Sequence, residues 1–507
     1  MNGSRIFRIA AVLILLGAVT TNPSLADTNS ISLINLTGGI TAYNGAGIRI
    51  GQVEGPGVPD SNNVYIAGRV ALTTNLVNGT SGTVAAHSTQ VAGVLVGPSN
   101  NVPGVAPGAT VYSVVDPSAY GPASQTNTAA AAWFLATNQS VRVINLSDRT
   151  SDPGTNTLGT DYASRSLDRL VSQTGVTFVK SAGNNGPGAD TITEPGGAYN
   201  IITVGAVSNL PTATTVADFS SRGYLSDGRS KPDIVAPGEN ITMPTTPIGA
   251  GGNALTNNDG TSFAAPHVAG VAARLIQLGD TKGGGASDPR TIKAVLLNSA
   301  TKLPGWTQTG TTTNAGVISV NHPLDANQGA GLLNAGRAFN ELAAGPFFPT
   351  QAGNSATQGL VNVIGWDWNY SQLGLTNIYM LKTQAVGEVR LTLTWYRDVD
   401  ANLNVSGLAN LDLMLWSSPN TTLTNLSLKA QSVSVADNVE QLYFTSLAVS
   451  NYAFGVYYAG YSGGPAPASI DYGLAWEFVA IPEPSTLLLA GFGLTVVWKL
   501  RRRRRRG

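Results

Sequence analysis

Apolar positions along the chain fall into three patterns. In residues 45–57, GAGIRIGQVEGPG, Ile48, Ile50 and Val53 mark a short strand. It ends at Glu54, because Gly55, Pro56 and Gly57 break it at once. Strand, helix and turn patterns then alternate as far as residue 342, which predicts an α/β fold with a mostly parallel sheet flanked by helices. Residues 258–278, NDGTSFAAPHVAGVAARLIQL, open in a polar turn and continue as small or apolar residues nearly all round a helix; such a helix is buried. Beyond residue 360 the period changes to two. Val389, Leu391, Leu393 and Trp395 alternate with Arg390, Thr392 and Thr394, as in a half-buried strand. LDLMLW and NYAFGVYYAG read similarly, which predicts a C-terminal antiparallel β-sandwich over 360–480. Residues 345–359 read as the linker.

Composition narrows the chemistry. The 507 residues include 59 Gly and no Cys, and 11% are charged, which suits a secreted, loop-rich, folded protein without disulfides or thiolate sites. His87, His267 and His322 are the whole imidazole inventory. Nine basic residues lie at the two ends: Arg5, Arg8, Lys499 and the arginines 501–506. The body therefore carries 20 basic against 29 acidic groups, about −9, which argues against a nucleic-acid-binding body.

Both ends read as export signals. Residues 1–26 have a basic start, an apolar run over 9–19 and small residues at Ser24 and Ala26, the pattern of a secretory signal peptide cleaved after Ala26. At the other end, an apolar run over 486–500 precedes the arginines. As a helix it spans roughly 22 Å, short of the ~30 Å hydrocarbon core. Its arginines would stay cytoplasmic. With Pro482, Glu483 and Pro484 before it, the segment 481–507 resembles the PEP-CTERM sorting signal of Gram-negative bacteria that make extracellular polymer. That resemblance implies an exosortase-type partner, transient inner-membrane anchoring through the transmembrane segment, and a cell-surface or matrix destination. A permanent single-span anchor is the alternative.

Ser262 opens the buried helix, where a serine is ordinarily an N-cap. Gly260 and the residues 264–266 let another chain approach it and leave helix N–H groups free for a developing oxyanion. GTSFAAPHVAG resembles the nucleophile motif of the subtilisin-like serine peptidases, the subtilases. AAHSTQVAGVLVG resembles their histidine block, with His87 as the base; Ser88 and Gln90 replace the usual Gly and second His. VTFVKSAGNNG resembles the block that supplies the oxyanion amide, with Asn184 after Gly183. The resemblance covers roughly 43–342 and assigns 27–344 to a subtilisin-like catalytic domain, followed by a jelly-roll-like sandwich. Glu54 stands where the family carries Asp, and Asp60 is the alternative acid. A glutamate serves in some Ser-His-acid triads on other folds.

VINLSDRTS resembles the strand lining the substrate cleft, and the resemblance places Ser147 and Asp148, with Gly183, against the substrate; Asp148 and Arg149 replace the usual Leu-Gly. Only about twenty residues separate Ala26 from the first core strand, too few for the usual folded propeptide. The resemblance thus implies an endopeptidase acting on protein or peptide substrates without a required cofactor. A structural calcium is not assignable: Asp412 could ligate one but reads as a solvated edge charge. A weak or inactive subtilase fold, used as a binding or structural module of the extracellular matrix, is the competing reading.

Overall fold

The computed structural model describes residues 31–481 apart from 56, 99–101, 117, 119–120, 152–157, 209–214, 247–252 and 358. The expected signal peptide and the transmembrane part of the sorting signal lie outside the described residues. Among those described, no helix is long and apolar enough to cross a membrane.

The first half is built on a seven-stranded, wholly parallel sheet. Its strands are β1 Arg49–Glu54, β2 Val70–Asn75, β3 Thr110–Val115, β4 Val143–Leu146, β5 Thr177–Ser181, β6 Ile202–Val207 and β7 Ile234–Pro237. Their order is β2-β3-β1-β4-β5-β6-β7. β1 pairs β3 on one side and β4 on the other, with Glu54 opposite Val115. Helices α1 Ala86–Val96, α2 Pro122–Asn138, α3 Tyr162–Thr174, α4 Thr261–Lys282, α5 Pro289–Asn298 and α6 Ala335–Ala344 complete the layers. α4 is buried along nearly its whole length, as its small and apolar residues require.

The second half is a sandwich. One sheet has the order Ile364–Gln372, Ser469–Ala480, Gly387–Trp395, Val439–Leu447; the other has nine strands and is mostly antiparallel. Leu391, Leu393 and Trp476 of the first meet Leu411, Leu413 and Phe454 of the second in one core.

Two expectations are corrected. Gly387–Trp395 is not half-buried: Arg390, Thr392 and Thr394 are 5%, 0% and 1% exposed. Its polar face meets α5 instead of water. Thr392 Oγ1 donates to Asn298 Oδ1 at 2.9 Å, and Thr394 Oγ1 to the Arg290 carbonyl at 2.8 Å. Residues 345–359 also include a hairpin, Gln351–Ala352 with Ser355–Ala356, which pairs with Thr376–Lys382. The halves interlock further. Val317–Val320, from before that segment, lies parallel to Ser427–Ser432 in the larger sheet. Trp366 shares the core of α4, α5 and α6, and its Nε1 donates to the Leu342 carbonyl at 2.9 Å.

Candidate active site

β1 is the strand at which the order reverses, so a crevice opens at the carboxyl ends of β1, β4 and β5. It holds a cleft of about 660 Å³ whose lining includes His87, Ser147, Asp148, Gly183, Asn184 and Ser262. Glu54 ends β1 behind His87. The parallel sheet thus brings together residues spread over more than 200 positions of the chain.

His87 is the second residue of α1, and its Nδ1 stands 3.0 Å from Glu54 Oε2. Glu54 is fully buried. Burial pushes the Glu54 carboxyl above its ordinary value, against the pull of the His87 charge. Burial pulls His87 down, but the charge of Glu54, the hydrogen bond to it and the charge of Asp148 outweigh that, and the imidazole ends above its ordinary value. The Ser88 departure from the family motif is taken up locally. Ser88 Oγ donates to the Gly57 carbonyl at 2.5 Å, and Gln52 Nε2 donates to the Ser88 carbonyl at 2.9 Å, which pins the turn after Glu54 to α1.

Ser262 is the second residue of α4, and Gly260, not the serine, occupies the cap position. Ser262 Oγ donates to the Ser147 carbonyl at 3.1 Å, and Ser147 Oγ donates to the Ser262 carbonyl at 2.8 Å. Asn184 Oδ1 accepts from both the N–H and the hydroxyl of Thr261, each at 2.9 Å. That double anchor fixes the amide and leaves its Nδ2 for the cleft. The Ser262 N–H, in the first turn of α4, has no intrahelical acceptor. Asn184 and Ser262 both line the cleft.

Other candidates separate from the cleft. Asp60 organises its own loop: it accepts from the Asn62 N–H at 3.0 Å and from Thr246 Oγ1 at 3.0 Å. His267 Nδ1 lies 2.7 Å from the Phe263 carbonyl inside α4, and His322 packs on Tyr224. Asp412 is buried rather than a solvated edge charge, and burial pushes its carboxyl up to about 6. Among the described residues no group of three or more His, Cys, Asp or Glu is arranged to hold a metal ion.

Asp148 reaches the cleft wall beside His87. Its Oδ1 accepts from the Arg149 N–H at 2.8 Å. Its Oδ2 rests on Gly55, where a Cβ would come within 1.9 Å of it, so a larger residue there would displace the carboxylate. Lys180 was not singled out in the sequence. The available signal was a lysine inside an otherwise uncharged strand, Thr177–Ser181, that is buried throughout.

Comparison with known proteins decides the family. The subtilase family profile matches residues 73–331, and the PEP-CTERM protein-sorting motif matches 480–505. The chain is a subtilase. The matched region begins after Glu54, so the place of that residue rests on the geometry above. Pyrolysin of Pyrococcus furiosus is 34% identical over 270 residues, 48% of this chain and 18% of that protein. Alkaline elastase YaB of Bacillus sp. (strain YaB) is 30% identical over 273 residues, 53% of this chain and 63% of that one. This subtilase thus spans less than two thirds of the length of either relative. Among solved structures, the prenylagaramide maturation protease PagA is 24% identical with a TM-score of 0.46, over 60% of this chain and 96% of that one.

Proposed function

We propose that this subtilase is an exported serine endopeptidase that works through an acyl-enzyme. The observation that carries the reading is the 3.0 Å approach of His87 Nδ1 to the buried Glu54 carboxylate, in the cleft that also holds Ser262. When substrate enters, Ser262 Oγ turns from the Ser147 carbonyl to the other ring nitrogen, Nε2, which removes its proton as Oγ attacks the scissile carbonyl. Glu54 orients the ring and stabilises the imidazolium that forms. The Asn184 amide and the Ser262 N–H bind the oxyanion. The imidazolium then protonates the leaving amine, and water, deprotonated by His87, releases the acyl group. Relatives named as a serine protease and a serine proteinase support this reading.

The sorting motif supports export and an exosortase-type partner, with the tail as a transient membrane anchor and the surface of a Gram-negative bacterium as the destination. A fluorophosphonate probe tests the chemistry. It should label the folded protein and leave Ser262→Ala unlabelled. Equal labelling of the two would remove Ser262 from the role.

The reciprocal clasp between Ser147 and Ser262 favours a second reading, a binding or structural module with a resting serine. In that case the folded wild-type protein stays unlabelled.

A further inference from the structure

Lys180 is fully buried in β5 at the edge of the cleft. Its Nζ donates to the Ser181 carbonyl and lies 3.3 Å from Ser181 Oγ and 3.5 Å from Thr193 Oγ1. Its acceptors are thus hydroxyls and a carbonyl rather than carboxylates. Ser181 and Thr193 both line the cleft. One layer of hydroxyl groups therefore separates a buried ammonium from the space where substrate lies.

The charges around it are mixed, with Asp148 the strongest of those that favour the ammonium. Burial pushes the Glu194 carboxyl up to about 8, and the adjacent charge of Asp161 adds to the shift, so Glu194 is mostly protonated at neutral pH. Its oxygens are occupied by Ser164 Oγ at 3.0 Å and the N–H groups of Gly197 at 3.2 Å and Gly159 at 3.3 Å. Asp148 Oδ2 lies against Gly55, and Asp148 and Arg149 both line the cleft. Glu54 is engaged with His87. Burial lowers Lys180 to about 7; the Asp148 charge opposes that shift most, and Arg149 adds to it. A buried cation without a carboxylate partner is costly, and an anion brought by a ligand relieves that cost.

The position matters as much as the charge. Asn184 follows four residues after Lys180. A carbonyl held by Asn184 and the Ser262 N–H would lie in the same cleft that Ser181, Gly183 and Thr193 line. Gly183 keeps the cleft wall tight: at φ +112, a Cβ there would come within 2.8 Å of Thr193 Oγ1. We propose that Lys180 selects substrates whose residue donating the scissile carbonyl carries a carboxylate side chain, received by the hydroxyls of Ser181 and Thr193. The inference rests on the endopeptidase reading and names its substrate class.

The test uses peptides that differ only at that residue, Glu against the isosteric Gln, with active enzyme counted by fluorophosphonate labelling. The wild-type enzyme should favour Glu by about tenfold or more in kcat/KM, since a charge-assisted hydrogen bond is at stake. That ratio should fall between pH 6 and pH 9, as Lys180 loses its proton around pH 7. Lys180→Met should abolish the preference. Thr193→Val, nearly isosteric, should reduce it and guards against a misfolded lysine variant. A labelled wild-type enzyme that cleaves Gln as fast as Glu, or a ratio that does not change with pH, overturns the inference and leaves the endopeptidase reading standing. Absence of labelling in folded protein overturns that reading, and the inference with it.

Discussion

His87 Nδ1 approaches to 3.0 Å of Glu54 Oε2, while Asp60, six residues further along the chain, turns to Thr246. In the proposed triad the longer glutamate arm takes the place of the family aspartate. Glu54→Gln should lower kcat by roughly 10³–10⁴, because the amide cannot stabilise the imidazolium and can favour the wrong tautomer. Asp60→Asn should leave kcat nearly unchanged. Steady-state kinetics on both, with thermal melts to confirm folding, makes the comparison; the reverse ranking would reassign the acid.

Asp148 tunes the same imidazole. The base must be neutral, so kcat/KM rises with pH through the pKa of His87. That pKa lies above the ordinary value, in part from the Asp148 charge. Asp148→Asn should move the acid limb of the pH profile to lower pH. A limb that stays in place, or moves upward, would show that Asp148 has no electrostatic hold on His87.

The oxyanion donors predict a different signature. Asn184→Ala should lower kcat by roughly 10²–10³ with little change in KM, since the amide acts mainly on the transition state. Thr261→Val keeps the N–H bond to Asn184 Oδ1 and removes the hydroxyl one, so its loss should be smaller. Equal losses would mean that the hydroxyl does more than anchor the amide.

Arg397 ties the sandwich to α3. Its Nε donates to Asp168 Oδ2 at 2.8 Å, and its Nη2 to the Gly159 carbonyl at 2.7 Å; both side chains are buried. Arg397→Met leaves Asp168 buried and unpaired, which should cost about 3–5 kcal/mol of stability. Denaturant titration reads that loss directly, and a change under 1 kcal/mol would mean that water reaches Asp168. A chain ended before the sandwich should be poorly soluble, because the face of α5 that meets Gly387–Trp395 is then uncovered.

For the sorting signal, Glu483→Ala with Pro484→Ala should leave an unprocessed, membrane-retained chain. Mass spectrometry of the released wild-type protein should end near Pro484. A mature surface protein that keeps the arginines 501–506 would rule out removal of the tail.

The sequence by itself determined the order of the parts and most of the chemistry. The glycine and proline stop after Glu54, the small-residue helix beginning GTSFAAPHVAG and the Ala-Gly-Asn turn at 182–184 are short local patterns. Each carries its meaning within a few residues, because strand ends and helix starts are set by local sterics and by free N–H groups. Only the tertiary structure decided which distant surfaces meet. Alternation in Gly387–Trp395 said that its two faces differ, but not that the polar face would be buried against Asn298 and Arg290. It also decided that Lys180 is buried behind two cleft hydroxyls, and that Asp148 lies on Gly55 rather than reaching across the cleft. The physical reason is the same in each case. Side-chain periodicity reports a preference for an environment, whereas burial of a polar group depends on finding a partner, and those partners lie far along the chain, 229 positions apart for Arg397 and Asp168.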